Sequence, residues 1–193
     1  MKANRTLMQI CGLCMMFLPP IALHAQFTCV TNNDNTVTIT GYVDTNDTVV
    51  IPDTINGHPV TGIGPHSFSI NFNLSRVTIP SGVTSIGLGA FYYCSGLTNI
   101  VIPDTVTNIG EQAFYQCGLT SVTIPNGLKS IAEAVFVFCG NLTNVIIPNS
   151  VTNIGNEAFG SCGFASITLP DNVISISRHR FAGFFNRETH EPR

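Results

Sequence analysis

The sequence predicts a mostly β protein, folded as a single right-handed solenoid with short parallel strands and about five coils of 22–23 residues. Three residue types recur along the chain with that one period. Residue types that share a fixed period indicate that one structural unit is stacked repeatedly, so this pattern outweighs local propensity in predicting the fold. The recurring residues are Phe68, Phe91, Phe114, Phe136, Phe159 and Phe181, then Pro80, Pro103, Pro125, Pro148 and Pro170, and lastly Cys94, Cys117, Cys139 and Cys162.

Residues 1–25 are predicted to be a secretory signal peptide. Lys2 and Arg5 form a short basic region, an apolar stretch over residues 7–22 follows, and Ala25 supplies the small residue that signal peptidase prefers. This segment places the mature chain outside the cell or on its surface. Lipoprotein processing at one of the two cysteines in the segment is the alternative, although neither follows the pattern expected before a lipidated cysteine.

Residues 26–50 are predicted to form an N-terminal β cap. A solenoid leaves apolar core and unpaired strand edges open at its ends, so each end needs a cover. Two runs of alternating apolar and polar side chains, residues 36–40 and 48–51, are suited to that role.

Residues 97–117 show how the first half of a coil is built. Leu97, Ile100 and Ile102 have the L-x-x-L-x-L spacing of a leucine-rich repeat. The alternation around Ile100 predicts a short parallel strand. Pro103 ends that strand, because proline has no N–H to donate to a neighbouring coil.

The second half of the coil returns the chain to the core. Val106 and Ile109 are expected to point inward from a second short extended piece, and Gly110 permits the sharp turn that follows. Phe114 then enters the core through a compact turn or a short helical piece. Cys117 is expected to fill a small buried space before the next coil begins.

The C-terminal end departs from the repeat. Four residues, Ser177-Arg178-His179-Arg180, replace the Gly-x-x-Ala pattern that should precede Phe181. We expect the solenoid to span residues 51–183 and a polar, disordered tail to span residues 184–193. A truncated gene end is a second hypothesis for the same break.

The repeated run I-P-x-x-V-T-x-I-G-x-x-A-F-x-x-C-x-x-L-T-x-I resembles the BspA-like class of leucine-rich repeats. It stands at residues 102–122 and again at 79–100, and the resemblance extends over about residues 49–181. The resemblance implies the leucine-rich repeat fold and a protein that is exported by bacteria or displayed by some protists. It also implies adhesion as a possible role, since some members of the class adhere to host or matrix proteins or to other cells.

Charge argues against a nucleic-acid partner. Residues 26–176 carry nine carboxylates against only Arg76 and Lys129, a net charge of −7 with histidine neutral. Nucleic-acid-binding folds instead present a basic patch or stripe. After the signal segment no apolar run is long enough to predict a membrane span.

The repeated cysteines leave three alternatives: buried thiols, disulfides or metal ligands. Stacked coils place equivalent Cα atoms about 4.8 Å apart, within reach of a disulfide, but parallel Cβ directions oppose bridging. The chain after residue 25 has no C-x-x-C motif, and no histidine recurs beside the cysteines as a metal site would require. We therefore expect buried thiols, Cys29 included, and no metal or other cofactor.

No group of residues predicts catalysis. The histidines after the signal segment accompany no nucleophile or carboxylate in an arrangement that a known mechanism requires. Glu111, Glu133 and Glu157 recur near the turn before the phenylalanine, and stacked acids on a solvated edge are their ordinary explanation. The sequence thus predicts a protein that is not an enzyme.

Two repeated surfaces remain as candidate binding faces. Exposed aromatics at Tyr92-Tyr93, Tyr115-Gln116 and Val137-Phe138 form one candidate, and the polar strand surface forms the other. The polar surface is also explained as solvated β structure that keeps the stack soluble. We predict a secreted or cell-surface module for binding an extracellular protein or glycan, with a structural spacer in an envelope or extracellular assembly as the alternative. The polar candidates are Asn99, Val101, Asn108, Ser121, Thr123, Asn144 and Thr168.

Overall fold

The computed structural model describes residues 26–176 of the 193-residue chain. Every regular element in this range is a β-strand, and the predicted signal peptide, residues 177–183 of the predicted solenoid and the predicted tail lie outside it. The strands are β1 (Phe27–Thr31), β2 (Val37–Tyr42), β3 (Thr48–Val50), β4 (Thr54–Ile55), β5 (His58–Ile63), β6 (Arg76–Thr78), β7 (Ser85–Ile86), β8 (Asn99–Val101), β9 (Asn108–Ile109), β10 (Ser121–Thr123), β11 (Ser130–Ile131), β12 (Asn144–Ile146), β13 (Asn153–Ile154) and β14 (Ser175–Ile176).

The strands stack in two rows, and each coil contributes one strand to each row. The first row contains β3, β6, β8, β10 and β12, and the second contains β5, β7, β9, β11, β13 and β14. Paired strands within a row are parallel and one repeat apart, as in the pairing of Arg76 with Asn99 and of Ser85 with Asn108. The predicted β-solenoid of about five coils is confirmed. We number the coils 1 to 5 by their core phenylalanines, Phe68, Phe91, Phe114, Phe136 and Phe159.

These five phenylalanines form a column of rings along the centre of the solenoid, which we call the phenylalanine column. Successive ring centroids lie 5.0, 5.3, 5.5 and 5.4 Å apart, and successive planes are within 15° of parallel. Each ring is at most 2% exposed. Offset stacking of this kind adds to the hydrophobic stabilisation that burial provides. Phe181, the sixth recurring phenylalanine, lies outside the described residues.

The N-terminal end of the column is covered by a hairpin. Strands β1 and β2 pair antiparallel, and β2 continues the second row by pairing parallel with β5. The hairpin places Tyr42 against Phe68, with 5.4 Å between ring centroids, and Phe27 against the edge of the same ring at 6.3 Å. Strand β3, which follows the hairpin, pairs instead with β6 in the first row.

The corner after each first-row strand links one coil to the next. The side chain of Asp104 accepts hydrogen bonds from the backbone and side-chain nitrogens of Asn126 in the following coil. The backbone bond and then the side-chain bond hold the pKa of Asp104 below its ordinary value. Thr105 donates its hydroxyl to the carbonyl of Val83 in the preceding coil, at 2.8 Å. The side chains of this corner therefore cap backbone groups of the neighbouring coils.

The third side of each coil, which carries the turn into the phenylalanine, has its own hydrogen-bond pattern. Alternate amides donate to the next coil, as Phe91 does to Ala113 at 2.8 Å and Tyr93 to Tyr115 at 2.8 Å. The amides between them donate within their own coil, as Tyr92 does to Gly89 at 3.0 Å. We call this side the turn face. The segment consists of turns and contains no helix, which settles the choice that the sequence left open.

This alternation of bonds requires left-handed backbone at two positions in every coil. Most of the residues there are not glycine, although a left-handed L-residue costs about 1–2 kcal/mol. Ile70 is the most unusual of them, because a β-branched residue with positive φ is rare. The left-handed residues of the turn face are His66, Ile70, Gly89, Tyr93, Gln112, Gln116, Ala134, Phe138, Glu157 and Ser161.

Replacing Ile70 with glycine is expected to stabilise the protein. The φ of Ile70 is 60° and its side chain is 61% exposed, so the change relieves backbone strain and removes little buried area. We expect the free energy of unfolding to rise by about 1 kcal/mol in urea titrations, after allowance for the extra entropy of glycine in the unfolded chain. Thr78→Gly, at an exposed strand position, is the control and should lower stability. Stabilisation by both changes, or by neither, would contradict the strain argument.

Both rows of strands have an interruption in the middle of the stack. In the first row β8 and β10 do not pair, and the coil between them has 22 residues instead of 23. In the second row β9 and β11 do not pair. Ala132 of coil 4 stands where the other coils have a glycine. In those coils the glycine amide donates a hydrogen bond to the preceding turn of the chain, as at Gly64, Gly87, Gly110 and Gly155. Among the described hydrogen bonds the amide of Ala132 makes none.

Candidate binding surfaces

The first row presents an exposed surface, which we call the polar strand face. Successive side chains of a strand point to opposite sides, so Ile100 and Val122 point into the core while their neighbours point outward. Asn144 is in register with Ser121, and Thr123 is in register with Ile146. The predicted site residues on this face are Asn99, Val101, Ser121, Thr123 and Asn144, and all five are exposed.

The other two predicted site residues do not belong to this face. Asn108 is exposed, but it lies in β9 of the second row and pairs with Ser85. Thr168 is exposed and lies outside any strand. The repeat from Asn144 to Ser166 has 22 residues. The first row is also interrupted at the other 22-residue repeat, between β8 and β10. The seven residues therefore form one group of five and two separate positions.

The turn face carries a group of five rings in contact, which we call the aromatic cluster: His66, Tyr92, Tyr93, Tyr115 and Phe138. The rings of Tyr92 and Tyr115 are stacked, with 4.9 Å between centroids, and Tyr93 is 4.6 Å from Tyr92 and 5.6 Å from Tyr115. Phe138 meets Tyr115 edge-on at 5.4 Å, and His66 meets Tyr92 edge-on at 6.4 Å. The cluster thus spans coils 1 to 4.

The backbone of the turn face places these rings side by side. Tyr92 and Tyr115 follow equivalent core phenylalanines, so the coil spacing brings their rings together. The ring of His66 lies over Gly89, where an added Cβ would be 2.5 Å from the imidazole Cε1 atom. The three tyrosines are half-buried and Phe138 is 51% exposed. The cluster therefore offers aromatic surface to solvent on a rigid support.

Acidic side chains lie on the same face as the aromatic cluster. Burial raises the pKa of the Tyr115 phenol, and the nearby Tyr93, Tyr92 and Glu157 raise it further. Glu111 and Glu133 occupy equivalent positions of the same turn segments, and both are exposed. Across residues 26–176 the two lysine or arginine side chains are Arg76 in β6 and Lys129 beside β11, both on the strand rows. The turn face is thus acidic and aromatic.

The repeated cysteines belong to the core. The thiol of Cys94 donates to the carbonyl of Phe68 in the preceding coil at 3.0 Å. Cys117, Cys139 and Cys162 do the same with Phe91, Phe114 and Phe136, each at 3.1 Å. All four remain thiols, as predicted, and each bond links two coils. Two details of the prediction were wrong, because Cys29 and Cys162 are half-buried and not buried.

The thiols should resist reagents and destabilise the fold at high pH. Burial raises the pKa of Cys94 and of Cys139 to about 12, against 9.0 for an ordinary thiol. In the native protein Cys94 and Cys139 should therefore react slowly with a thiol reagent at pH 8, and both should react quickly in urea. The folded state holds these protons after the unfolded chain has lost them, so stability should fall between pH 9 and about 12.

The matched variant for this prediction is Cys94→Ala/Cys139→Ala. Its urea midpoint should change less between pH 8 and pH 11 than that of the parent protein, because two of the buried protons are gone. Equal pH dependence of the two proteins would show that the thiols do not control alkaline unfolding.

Other kinds of site find no support in the described chain. Over residues 26–176 no three histidine, cysteine or acidic side chains converge in a way that could hold a metal ion. In the same range no helix has the length and apolar character needed to cross a membrane.

The sequence identified part of the aromatic cluster and missed one member. His66 was not among the candidate residues, yet it lies 23 residues before Gly89, at the equivalent position of coil 1. The signal that could have located His66 is Gly89, one repeat later, because a glycine there leaves room for the large side chain of the preceding coil. The contacts among the tyrosines depend on ring orientation, and no spacing in the sequence specifies that.

The chain is similar to bacterial leucine-rich repeat proteins. Residues 61–186 match the family model described as BspA type leucine rich repeat region, in six copies. The crystal structure of a Treponema pallidum leucine-rich repeat protein is 33% identical, with 78% of each chain covered and a TM-score of 0.72. A leucine-rich cell surface protein from Faecalibacterium prausnitzii is 30% identical, over 88% of this chain and 52% of that one, with a TM-score of 0.63.

A further structure resembles the chain in fold alone. The pneumococcal vaccine antigen PcpA is 21% identical, over 81% of this chain and 45% of its own, with a TM-score of 0.64. No curated relative matches the sequence.

Proposed function

Because the chain belongs to the BspA-type leucine-rich repeat family, we propose that it is a secreted or cell-surface module that binds an extracellular protein or glycan, without catalysis. The similar Faecalibacterium prausnitzii protein is described as a cell surface protein, which supports the location. The basic, apolar and small-residue order of residues 1–25 supports export. Adhesion is the form of binding that suits a repeated surface.

The observation that carries the proposal is the register of the polar strand face. Asn99 and Arg76 pair across neighbouring coils, and so do Asn144 and Ser121, so outward polar side chains recur along the face at the spacing of the coils. A partner with its own repeated groups can contact several coils at once. Many weak contacts then add up to measurable affinity through effective concentration.

The alternative is a structural spacer inside an envelope or extracellular assembly. The polar ladder would then only keep the stack soluble, and no outward side chain would be needed for contact. Stacked coils suit this role as well, because each coil contacts only its neighbours and the length follows from the number of coils.

An array of glycans and matrix proteins separates the two roles. Reproducible binding that is lost in Asn99→Ala/Asn144→Ala supports recognition by the polar strand face. The matched variant Asn108→Ala/Asn153→Ala changes the same residue type on the second row and tests whether that row is used instead. Absence of binding to every partner would favour the spacer. If both variants still bind, neither strand surface is the binding site and this part of the proposal fails.

A further inference from the structure

The aromatic cluster differs from the polar strand face in position and chemistry. It lies on the turn face and consists of five rings in mutual contact, three of them tyrosines. Aromatic rings that contact one another usually belong to a protein core. This cluster lies outside the phenylalanine column instead, and Phe138 in it is 51% exposed. Ile70, 61% exposed on the same face, extends the apolar surface at one end.

Charge decides which partner this surface fits. Glu111, Glu133 and Glu157 lie in the turn segments of coils 3, 4 and 5, and Glu157 is close enough to act electrostatically on Tyr115. Arg76 and Lys129 of the described chain are both on the strand rows, so over residues 26–176 these carboxylates have no lysine or arginine on their own face. A ligand that brings positive charge would complement these carboxylates.

Aromatic faces and carboxylates together favour arginine over lysine. A guanidinium is planar and stacks on a tyrosine ring while its edge donates hydrogen bonds to a carboxylate. An ammonium is a strongly hydrated point charge and satisfies only the electrostatic part. The contacts of Tyr92 with Tyr93 and with Tyr115 continue the aromatic surface from one coil to the next along the solenoid, which suits a ligand with several guanidinium groups in sequence.

We propose that the aromatic cluster, together with Glu111, Glu133 and Glu157, binds an arginine-rich peptide segment of a partner protein. The segment lies along the turn face across coils 2 to 5. Its guanidinium groups pack against the solvent-exposed parts of Tyr92, Tyr93 and Tyr115 and pair with the glutamates. The site is independent of the polar strand face, so the protein can engage two partners, or two parts of one partner, on different sides.

The test uses the full chain and two eight-residue peptides, one alternating arginine with glycine and one alternating lysine with glycine, measured by isothermal titration calorimetry. We expect the arginine peptide to bind about fivefold more tightly than the lysine peptide at physiological salt. Equal affinity for the two peptides would mean that net charge alone attracts them and would overturn the proposal.

Variants of the rings separate aromatic contact from simple apolar contact. Tyr92→Leu/Tyr115→Leu keeps apolar cover and should weaken binding of the arginine peptide about tenfold. Tyr92→Phe/Tyr115→Phe keeps the rings and should bind as the parent does. The urea midpoint of the leucine variant, measured beside that of the parent, separates loss of the site from misfolding. Unchanged affinity in the leucine variant would overturn the proposal.

Variants of the acids and of the other face complete the test. Glu133→Gln should weaken binding about threefold, whereas Asp171→Asn, which removes an equal charge at an exposed strand-side corner, should leave binding unchanged. Asn99→Ala/Asn144→Ala changes only the polar strand face and should also leave peptide binding unchanged. The peptide experiment therefore tests the turn face separately from the function proposed for the polar strand face. Equal effects of Glu133→Gln and Asp171→Asn would contradict a local site. Binding of a neutral oligosaccharide through the same tyrosines, without binding of the arginine peptide, would assign the surface to glycans and overturn the proposal.

Discussion

Replacing Phe114 with alanine is expected to lower the free energy of unfolding by about 3–5 kcal/mol, as in other large-to-small changes of a buried aromatic residue. Phe114 occupies the middle of the phenylalanine column, 5.3 Å from Phe91 and 5.5 Å from Phe136, and its ring is fully buried. The backbone on either side is held by bonds to neighbouring coils, so it cannot collapse to fill the cavity. The missing ring therefore removes contacts from three coils at once.

Urea titration followed by circular dichroism measures this loss. Phe114→Leu should lose less than Phe114→Ala, and it keeps the test valid if the alanine variant does not fold. Phe138→Ala is the matched surface control and should cost under about 1 kcal/mol, because that ring is 51% exposed. Equal losses for Phe114→Ala and Phe138→Ala would show that the column is not the main source of stability. A lower slope of the transition in Phe114→Ala would indicate that the coils on either side unfold separately.

Replacing Gly110 with alanine is expected to lower the free energy of unfolding by about 2 kcal/mol or more. A Cβ atom on Gly110 would lie 2.5 Å from the amide nitrogen of Leu88 and 2.7 Å from the carbonyl carbon of Gly87. Both are backbone atoms of the preceding coil, so no side chain can move aside. The coils would have to separate locally, which breaks the bond from the Gly110 amide to the Ile86 carbonyl, 2.8 Å long in the native protein.

The chain carries the same substitution naturally in coil 4, and this provides the control. Ala132 stands at the equivalent position, where its amide makes no bond to the preceding coil and β9 and β11 do not pair. Hydrogen exchange should therefore be faster at the Ala132 amide than at those of Gly87, Gly110 and Gly155. Ala132→Gly should slow that exchange and close the gap between the strands. Slow exchange at Ala132 in the parent protein would contradict the steric explanation.

The sequence predicted the solenoid because its core residues are periodic. Phenylalanine, proline and cysteine each recur at the coil length, and each has one physical role that the structure confirms: a stacked ring, the end of a first-row strand, and a thiol bonded to the preceding coil. The inward positions of Val106 and Ile109 were predicted correctly for the same reason. Because every coil has the same fold, a residue type that recurs at the coil length occupies the same structural position in each coil.

The remainder could not be predicted because it depends on geometry that residue types do not mark. The left-handed positions of the turn face hold Tyr93, Gln116 and Glu157, none of which signals positive φ as glycine or asparagine does. The pairing of β1 with β2 is local to the cap and has no second copy to reveal it. Asn99 and Asn108 lie on different rows because a corner separates their two strands. Both residues are polar and exposed, so residue type alone does not show that they are on different rows.

The arrangement of the tyrosines has an optical consequence. The chain contains no tryptophan and four tyrosines, and three of the four lie in the aromatic cluster, with ring centroids 4.6–5.6 Å apart. Excitation absorbed by one of these phenols passes readily to the next at such separations, so the three behave as a single emitting group. We therefore expect the intrinsic ultraviolet fluorescence of this protein to report mainly on the turn face.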